Sequence, residues 1–182
     1  KRIEIQAQLD GDYVLKTLKE IGIFEDIPEN ENTLQGNALA KARFVKRETG
    51  LDCFADDTGL LVDALDGEPG VFSARYAGPE NSSEANMAKL LRNLEGSKNR
   101  TARFKTIIAL IEGEQETLFE GEVEGNICFQ KRGDHGFGYD PVFIPSGFKK
   151  TFAEMSLEEK STISHRAKAV KKLVDYLSKK QA

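Results

Sequence analysis

The stretch Leu51-Asp52-Cys53-Phe54-Ala55-Asp56-Asp57-Thr58-Gly59-Leu60-Leu61-Val62 sets two adjacent carboxylates between two apolar runs. The first run, Leu51 to Ala55, is short, ends in acid and fits a buried strand. Leu60 to Leu65, followed by Asp66-Gly67, reads as a strand entering a tight turn. Between them, Asp56-Asp57-Thr58-Gly59 reads as an acidic turn at a strand end, where a loop can aim side chains into a cleft. Two ionised carboxylates ~4 Å apart repel by on the order of 1–4 kcal/mol, so a cation, a proton or a separation must relieve them. Successive strand residues point to opposite faces, so the two acids need not share one task. Oxygen-only ligands suit Mg²⁺ or Mn²⁺ better than zinc. Taken alone, the pair also fits a solvated turn that caps a strand.

Upstream, Thr33 is suited to cap a helix on which Leu34, Ala38, Ala42 and Val45 recur near a 3.6-residue period up to Gly50. Lys1 to Leu9 reads as a helix and Tyr13 to Leu18 as a strand. Downstream, Asn81 precedes Glu84 by three residues, a capping-box-like start for a helix from Glu84 to Leu94 that Gly96 ends. Ala102 to Ile111 is a long strand, Gly113-Glu114 a turn, and Thr117 to Phe129 a second strand pair or a bent strand. Phe129 to Pro145 is a glycine-rich loop around a short apolar segment. Ser156 and Glu159 form a capping box for a last helix, with Ile163, Ala167, Val170, Val174 and Leu177 on its apolar face. Helices and hairpin-linked strands alternate through the chain. The expected class is α/β or α+β, a mixed twisted sheet flanked by helices and partly antiparallel.

The bulk properties narrow the partners. The 182 residues fit one domain, or one domain with a small lobe. A net charge of -4 weighs against a general nucleic-acid coat, yet local lysines can still hold a small anion. No apolar run approaches the ~18 residues of a membrane span, so no membrane partner is expected. Cys53 and Cys128 make no disulfide framework and read as reduced core residues of a cytoplasmic protein.

Two further segments carry chemistry. In Gly136-Phe137-Gly138-Tyr139-Asp140-Pro141 an aromatic flanked by glycines is a candidate base-stacking platform, worth ~1–3 kcal/mol per stacked base. Asp140 either accepts from ring N–H groups or orders the loop. Ser164-His165-Arg166 falls inside the predicted last helix. The planar fork of Arg166 suits a keto oxygen or a phosphate, and His165 can donate or accept. Ser164 and His165 are not a nucleophile pair, because adjacent side chains on a helix do not face one another.

Together these segments resemble the inosine triphosphate pyrophosphatase family. The resemblance runs from Thr33 to Arg43, through Phe54-Ala55-Asp56-Asp57-Thr58-Gly59-Leu60 and Pro69-Gly70-Val71-Phe72-Ser73-Ala74-Arg75-Tyr76. It continues in Phe137-Gly138-Tyr139-Asp140-Pro141, Thr151-Phe152-Ala153-Glu154, Glu159-Lys160 and Ser164-His165-Arg166. It implies a homodimer, a cleft between two lobes, and Mg²⁺-dependent cleavage of ITP, dITP and XTP to a monophosphate and pyrophosphate. It makes Asp57 the catalytic acid-base residue and a metal ligand. Glu29 is a second metal ligand, with Glu31 as the alternative and Glu4 as a further candidate. Lys1 and Lys41 meet the phosphates, and Thr58 touches the substrate. Phe137, Gly138, Tyr139 and Asp140 frame the base, and Lys160, His165 and Arg166 complete the nucleotide pocket. The family opens with a strand and a Thr-x-Asn-x-x-Lys-x-x-Glu motif, of which Lys1-Arg2-Ile3-Glu4 matches only the end. A natural chain with about a dozen earlier residues is therefore expected, from ordinary strand and turn lengths. The family usually carries acid where Gln35-Gly36 stands here.

Two rival readings use the same residues. One is a metal-dependent phosphatase or nuclease, separated by its products. The other is a nucleotide-binding module without turnover.

Overall fold

The computed structural model describes residues 5–6 and 13–180. Among these residues the sheet has five strands: β1 (Cys53–Val62), β2 (Pro69–Gly70), β3 (Thr101–Glu112), β4 (Gln115–Ile127) and β5 (Phe143–Pro145). They lie side by side in the order β2-β1-β3-β4-β5. β2 runs antiparallel to β1, with Leu60 opposite Gly70, and β5 runs antiparallel to β4, with Ile127 opposite Phe143. Among the described residues, four full helices accompany the sheet: α1 (Leu34–Thr49), α2 (Ser83–Asn93), α3 (Leu157–Ile163) and α4 (His165–Lys179).

The chain divides into two compact units. The first gathers the described residues up to Asp57, together with Ile107–Glu120 and the described residues from Lys168 onward. Its core packs Ile108, Leu110 and Phe119 against Ala169, Val170, Leu173, Val174 and Leu177 of α4. The second comprises Thr58–Thr106 and Gly121–Ala167. There Leu60, Val62, Leu90, Phe104, Phe143 and Phe152 form the centre, with the Phe104 and Phe143 rings edge to face at 4.7 Å. Burying each such side chain contributes roughly 1.5–3 kcal/mol.

α1 forms as its sequence predicts. The Thr33 hydroxyl accepts from the Gly36 N–H, Ala38 and Ala42 are fully buried, and Gly50 ends the helix in the left-handed region.

Four expectations are corrected. The acidic segment is no turn: β1 runs unbroken from Cys53 to Val62, and Asp56 to Gly59 are its middle. Gly59 is not among the glycines with positive φ, so nothing bends the strand there. Tyr13 to Leu18 is no strand. Its polar backbone is met by the Gln6 amide, which donates to the Tyr13 carbonyl and accepts from the Leu15 N–H, both at 2.7 Å. The cap of α2 is Ser82, whose hydroxyl accepts from Ala85 N, while Asn81 takes a left-handed conformation just before it. The predicted last helix is two. Ser156 and Glu159 do form the capping box of α3, but Ser164 is extended and its hydroxyl accepts from Ala167 N, starting α4 afresh. The predicted helix from Lys1 to Leu9 lies outside the described residues apart from Ile5 and Gln6, which have helical backbone.

Candidate active site

The candidate residues fall into two clusters, one in each unit. In the first unit, pleating turns Asp57 toward α1. The Asn37 side-chain amide donates to Asp57 Oδ2 at 3.1 Å, and the Asn37 carbonyl oxygen accepts from the Glu31 N–H at 3.0 Å. One turn along α1, Lys41 Nζ meets Glu29 Oε1 at 2.5 Å and Asp57 Oδ1 at 3.4 Å. One ammonium therefore serves two carboxylates. Burial pushes the Asp57 carboxyl above the ordinary carboxylate range, and nearby Glu29 pushes the same way. The Lys41 charge and the Asn37 amide pull against them without winning. Such a carboxylate is poised to take a cation or a proton.

Glu29 and Glu31 differ in position. Glu29 reaches the ammonium that Asp57 shares, whereas Glu31 is exposed and acts electrostatically on Arg43. Glu31 packs so closely over the first turn of α1 that a Cβ on Gly36 would lie 2.7 Å from its own Cβ.

In the second unit, Phe137 is 63% exposed between Gly136 and Gly138. Two cations lie over its ring, Lys160 Nζ at 4.9 Å and Arg166 Cζ at 5.5 Å from the centroid. Asp140 is buried, and its Oδ2 accepts from both Lys160 Nζ and the Phe137 N–H, the latter at 2.8 Å. Asp140 thus orders the loop, one of the two roles expected of it. Gly136 makes this possible: at φ +83°, a Cβ there would stand 2.1 Å from Asp140 Oδ2. Tyr139 contributes no open side chain. Its ring is in the core and its hydroxyl donates to the Ser73 carbonyl at 2.9 Å, so only its backbone can face a ligand.

His165 is buried and stacks on Phe104 at 4.7 Å. Arg166, on the first turn of α4, donates to Thr58 Oγ1 at 3.4 Å. Thr58 Oγ1 also shares a 2.7 Å hydrogen bond with Thr106 Oγ1.

Lys1 and Glu4 lie outside the described residues. The cysteines are half-buried rather than core, and burial pushes both thiols up. Cys53 Sγ donates to the Ala42 carbonyl at 3.2 Å.

Asn37 and Thr106 join the site without belonging to any of its sequence-predicted functional residues, although each leaves a signal in the sequence. Asn37 is a polar residue of poor helix propensity on the buried face of α1. Thr106 interrupts the apolar alternation Ala102, Phe104, Ile108 on β3. Among the described residues no group of three or more His, Cys, Asp or Glu side chains converges as a ready metal cage. No helix among them is long and apolar enough to cross a membrane.

Comparison with known proteins finds relatives that match nearly the whole chain. A relative from Flavobacterium johnsoniae named dITP/XTP pyrophosphatase is 54% identical over 179 residues, covering 98% of this chain and 93% of its own. The solved structure of the Staphylococcus aureus Ham1 protein superposes with a TM-score of 0.91 at 37% identity, covering 98% of this chain and 93% of that one. A HAM1 protein from Coxiella burnetii matches with a TM-score of 0.92 at 38% identity, covering 97% and 92%. The model of the Ham1 family matches residues 1–176, and by that match the chain belongs to the Ham1 family.

Proposed function

We infer that this chain hydrolyses purine nucleoside triphosphates of the dITP, XTP and ITP type to a monophosphate and pyrophosphate. The substrate class rests on relatives that carry the name dITP/XTP pyrophosphatase. The observation that carries the chemistry is the sharing of one ammonium, Lys41 Nζ, by Asp57 and Glu29. Carboxylates that converge on one cationic atom suit a hard divalent ion, and Mg²⁺ is commonly held by one or two carboxylates plus substrate phosphates. The donor set therefore fits Mg²⁺, or Mn²⁺, held by Asp57 and Glu29, with Glu4 as a further candidate ligand. When bound, such an ion neutralises charge that develops during in-line phosphoryl transfer.

The protein's own residues do the rest. Asp57, with its raised affinity for a proton, orients the attacking water and accepts its proton. Asn37 holds the Asp57 carboxylate from the far side. Lys41 supplies positive charge to the phosphates, and Lys1 is the second candidate for that task. Attack at the α-phosphorus releases pyrophosphate, the outcome implied by the relatives' name.

In the second unit, the exposed Phe137 ring offers a stacking surface to a purine, with Gly138 and the Tyr139 backbone beside it. Lys160 and Asp140 steady that ring. Arg166 and His165 favour a 6-keto oxygen. A 6-amino group would leave such donors unpaired, a mismatch that discriminates strongly. The exposed Phe72 ring in the segment 69–76 supports a homodimer, and a cytoplasmic location suits two free thiols.

The deciding experiment is product analysis on dITP, XTP, GTP and ATP with and without Mg²⁺. Pyrophosphate from dITP and XTP, with ATP poor, is expected. Orthophosphate as the first product, or equal turnover of ATP and dITP, would overturn the reading.

A further inference from the structure

Thr106 is a polar residue in an apolar row. It lies on β3 in register with Ala102 and Phe104, and like Ala102 it is fully buried. Valine has nearly the same shape and no hydroxyl to desolvate, so a threonine here calls for a partner. Its hydroxyl meets Thr58 Oγ1 at 2.7 Å. Among the described residues it has no second hydrogen-bond partner.

That pairing has a direction. A hydroxyl carries one proton and two acceptor sites. Were Thr58 the donor, the Thr106 proton would be stranded where no water reaches, with the full desolvation penalty. Thr106 therefore donates to Thr58. Arg166 Nη2 donates to the same oxygen at 3.4 Å. Both acceptor sites of Thr58 Oγ1 are then taken by donors, and its own proton must turn elsewhere. Thr58 is only partly buried, so that proton has a route to a ligand.

We propose that Thr106 is a positioning residue which, with Arg166, makes Thr58 an obligate donor aimed at an unprotonated oxygen of the bound nucleotide. The inference rests on the proposed function for the identity of that ligand. The oxygen is a phosphate oxygen or a ring carbonyl, chemically alike as acceptors.

Calorimetric binding of dITP, inorganic tripolyphosphate and deoxyinosine separates these cases in the whole protein. The variants are Thr106→Val, Thr106→Ser, Thr58→Val and the double Thr106→Val/Thr58→Val. Thr106→Val should weaken dITP binding by about tenfold, the size expected for one hydrogen bond to a charged or keto oxygen. Thr106→Ser should stay within about twofold, because it keeps the donor. The double variant should bind no more weakly than Thr58→Val alone, since both changes silence one device. The same loss with tripolyphosphate assigns a phosphate oxygen, and the same loss with deoxyinosine assigns the carbonyl. If Thr106→Val does not fold, Thr106→Ala takes its place in the series.

Wild-type-like dITP binding by Thr106→Val overturns the proposal, as does a double variant that multiplies the single losses. Failure of Thr106→Ser to restore binding assigns Thr106 to packing and overturns it too. No binding of any of the three probes by the wild type also overturns it. A wild-type protein that binds dITP without hydrolysing it sinks the proposed function, while the binding series still decides the role of Thr106.

Discussion

Asp57 answers to two opposed demands. Its carboxyl is buried beside Glu29, which favours the protonated form, while catalysis as proposed needs it ionised. A carboxyl whose folded pKa lies above its unfolded value costs stability once it ionises. The protein is therefore most stable with respect to this group below the ordinary carboxylate range. That stability is lost as pH rises through the raised value. Asp57→Asn removes the cost and keeps an oxygen for the Asn37 amide. In EDTA at neutral pH its melting temperature should exceed that of the wild type, with the gap closing as pH falls below the ordinary carboxylate range. Its turnover of dITP should fall by about 10²–10⁴-fold, the usual worth of a general base. A melting temperature unchanged across pH would show that burial does not strain this carboxylate. Glu29 and Glu31 give a second residue-scale prediction. Glu29→Gln should lower turnover at limiting Mg²⁺ by about tenfold or more, because the carboxylate proposed to hold the metal is lost, whereas Glu31→Gln should leave it near normal. The reverse order in Mg²⁺ titrations would reassign the ligand.

At the scale of elements, two local devices hold the second cluster. Gly136 takes a backbone conformation that L side chains rarely adopt and leaves room for the Asp140 carboxylate. Gly136→Ala would force Asp140 off the Phe137 N–H and tilt the aromatic platform. With base stacking worth ~1–3 kcal/mol, KM for dITP should rise by roughly 5- to 150-fold while kcat changes less. A KM unchanged in steady-state assays would exclude Phe137 as the platform. The break at Ser164 starts α4 at His165, which is how Arg166 comes to the first turn of a helix and reaches Thr58. Ser164→Ala should cost about 1 kcal/mol, read from the urea midpoint. It should also raise KM, because the helix start that aims Arg166 loses its cap. The continuity of β1 matters on the same scale. Alternation along an unbroken strand sends Asp57 to Asn37 and Lys41, and Thr58 to Thr106 and Arg166.

At the scale of the whole molecule, each unit has its own core. Leu173 on α4 and Leu90 on α2 are fully buried in the first and second unit respectively. Leu173→Ala and Leu90→Ala should each cost about 2–5 kcal/mol, the usual range for a large-to-small change in a packed core. Chemical denaturation checks both, and a loss well below that range would mean that the site collapses around the missing atoms.

Much of this was legible in order along the chain. Short-range rules place α1 between Thr33 and Gly50, the β3–β4 hairpin at Gly113, and the capping box at Ser156 and Glu159, because each depends on neighbours a few residues away. The pairing of acids with a divalent-cation chemistry, and the glycine-framed aromatic, are local too. The sequence by itself determined the class of fold, the family and the cast of candidate residues. Tertiary structure alone decided their posts. It ran β1 straight through the acids, since a strand paired in a sheet needs no turn at an extended glycine. It split the last helix at Ser164, where a side-chain cap outweighed continuing helical periodicity. It placed the Tyr139 ring in the core and set the Asp140 carboxylate against Lys160 and the Phe137 N–H. It also brought in Asn37 and Thr106, 20 residues before Asp57 and 48 after Thr58. Such partners are chosen by burial, because a buried polar group must find its hydrogen bond wherever the fold supplies one, and chain distance carries no record of that.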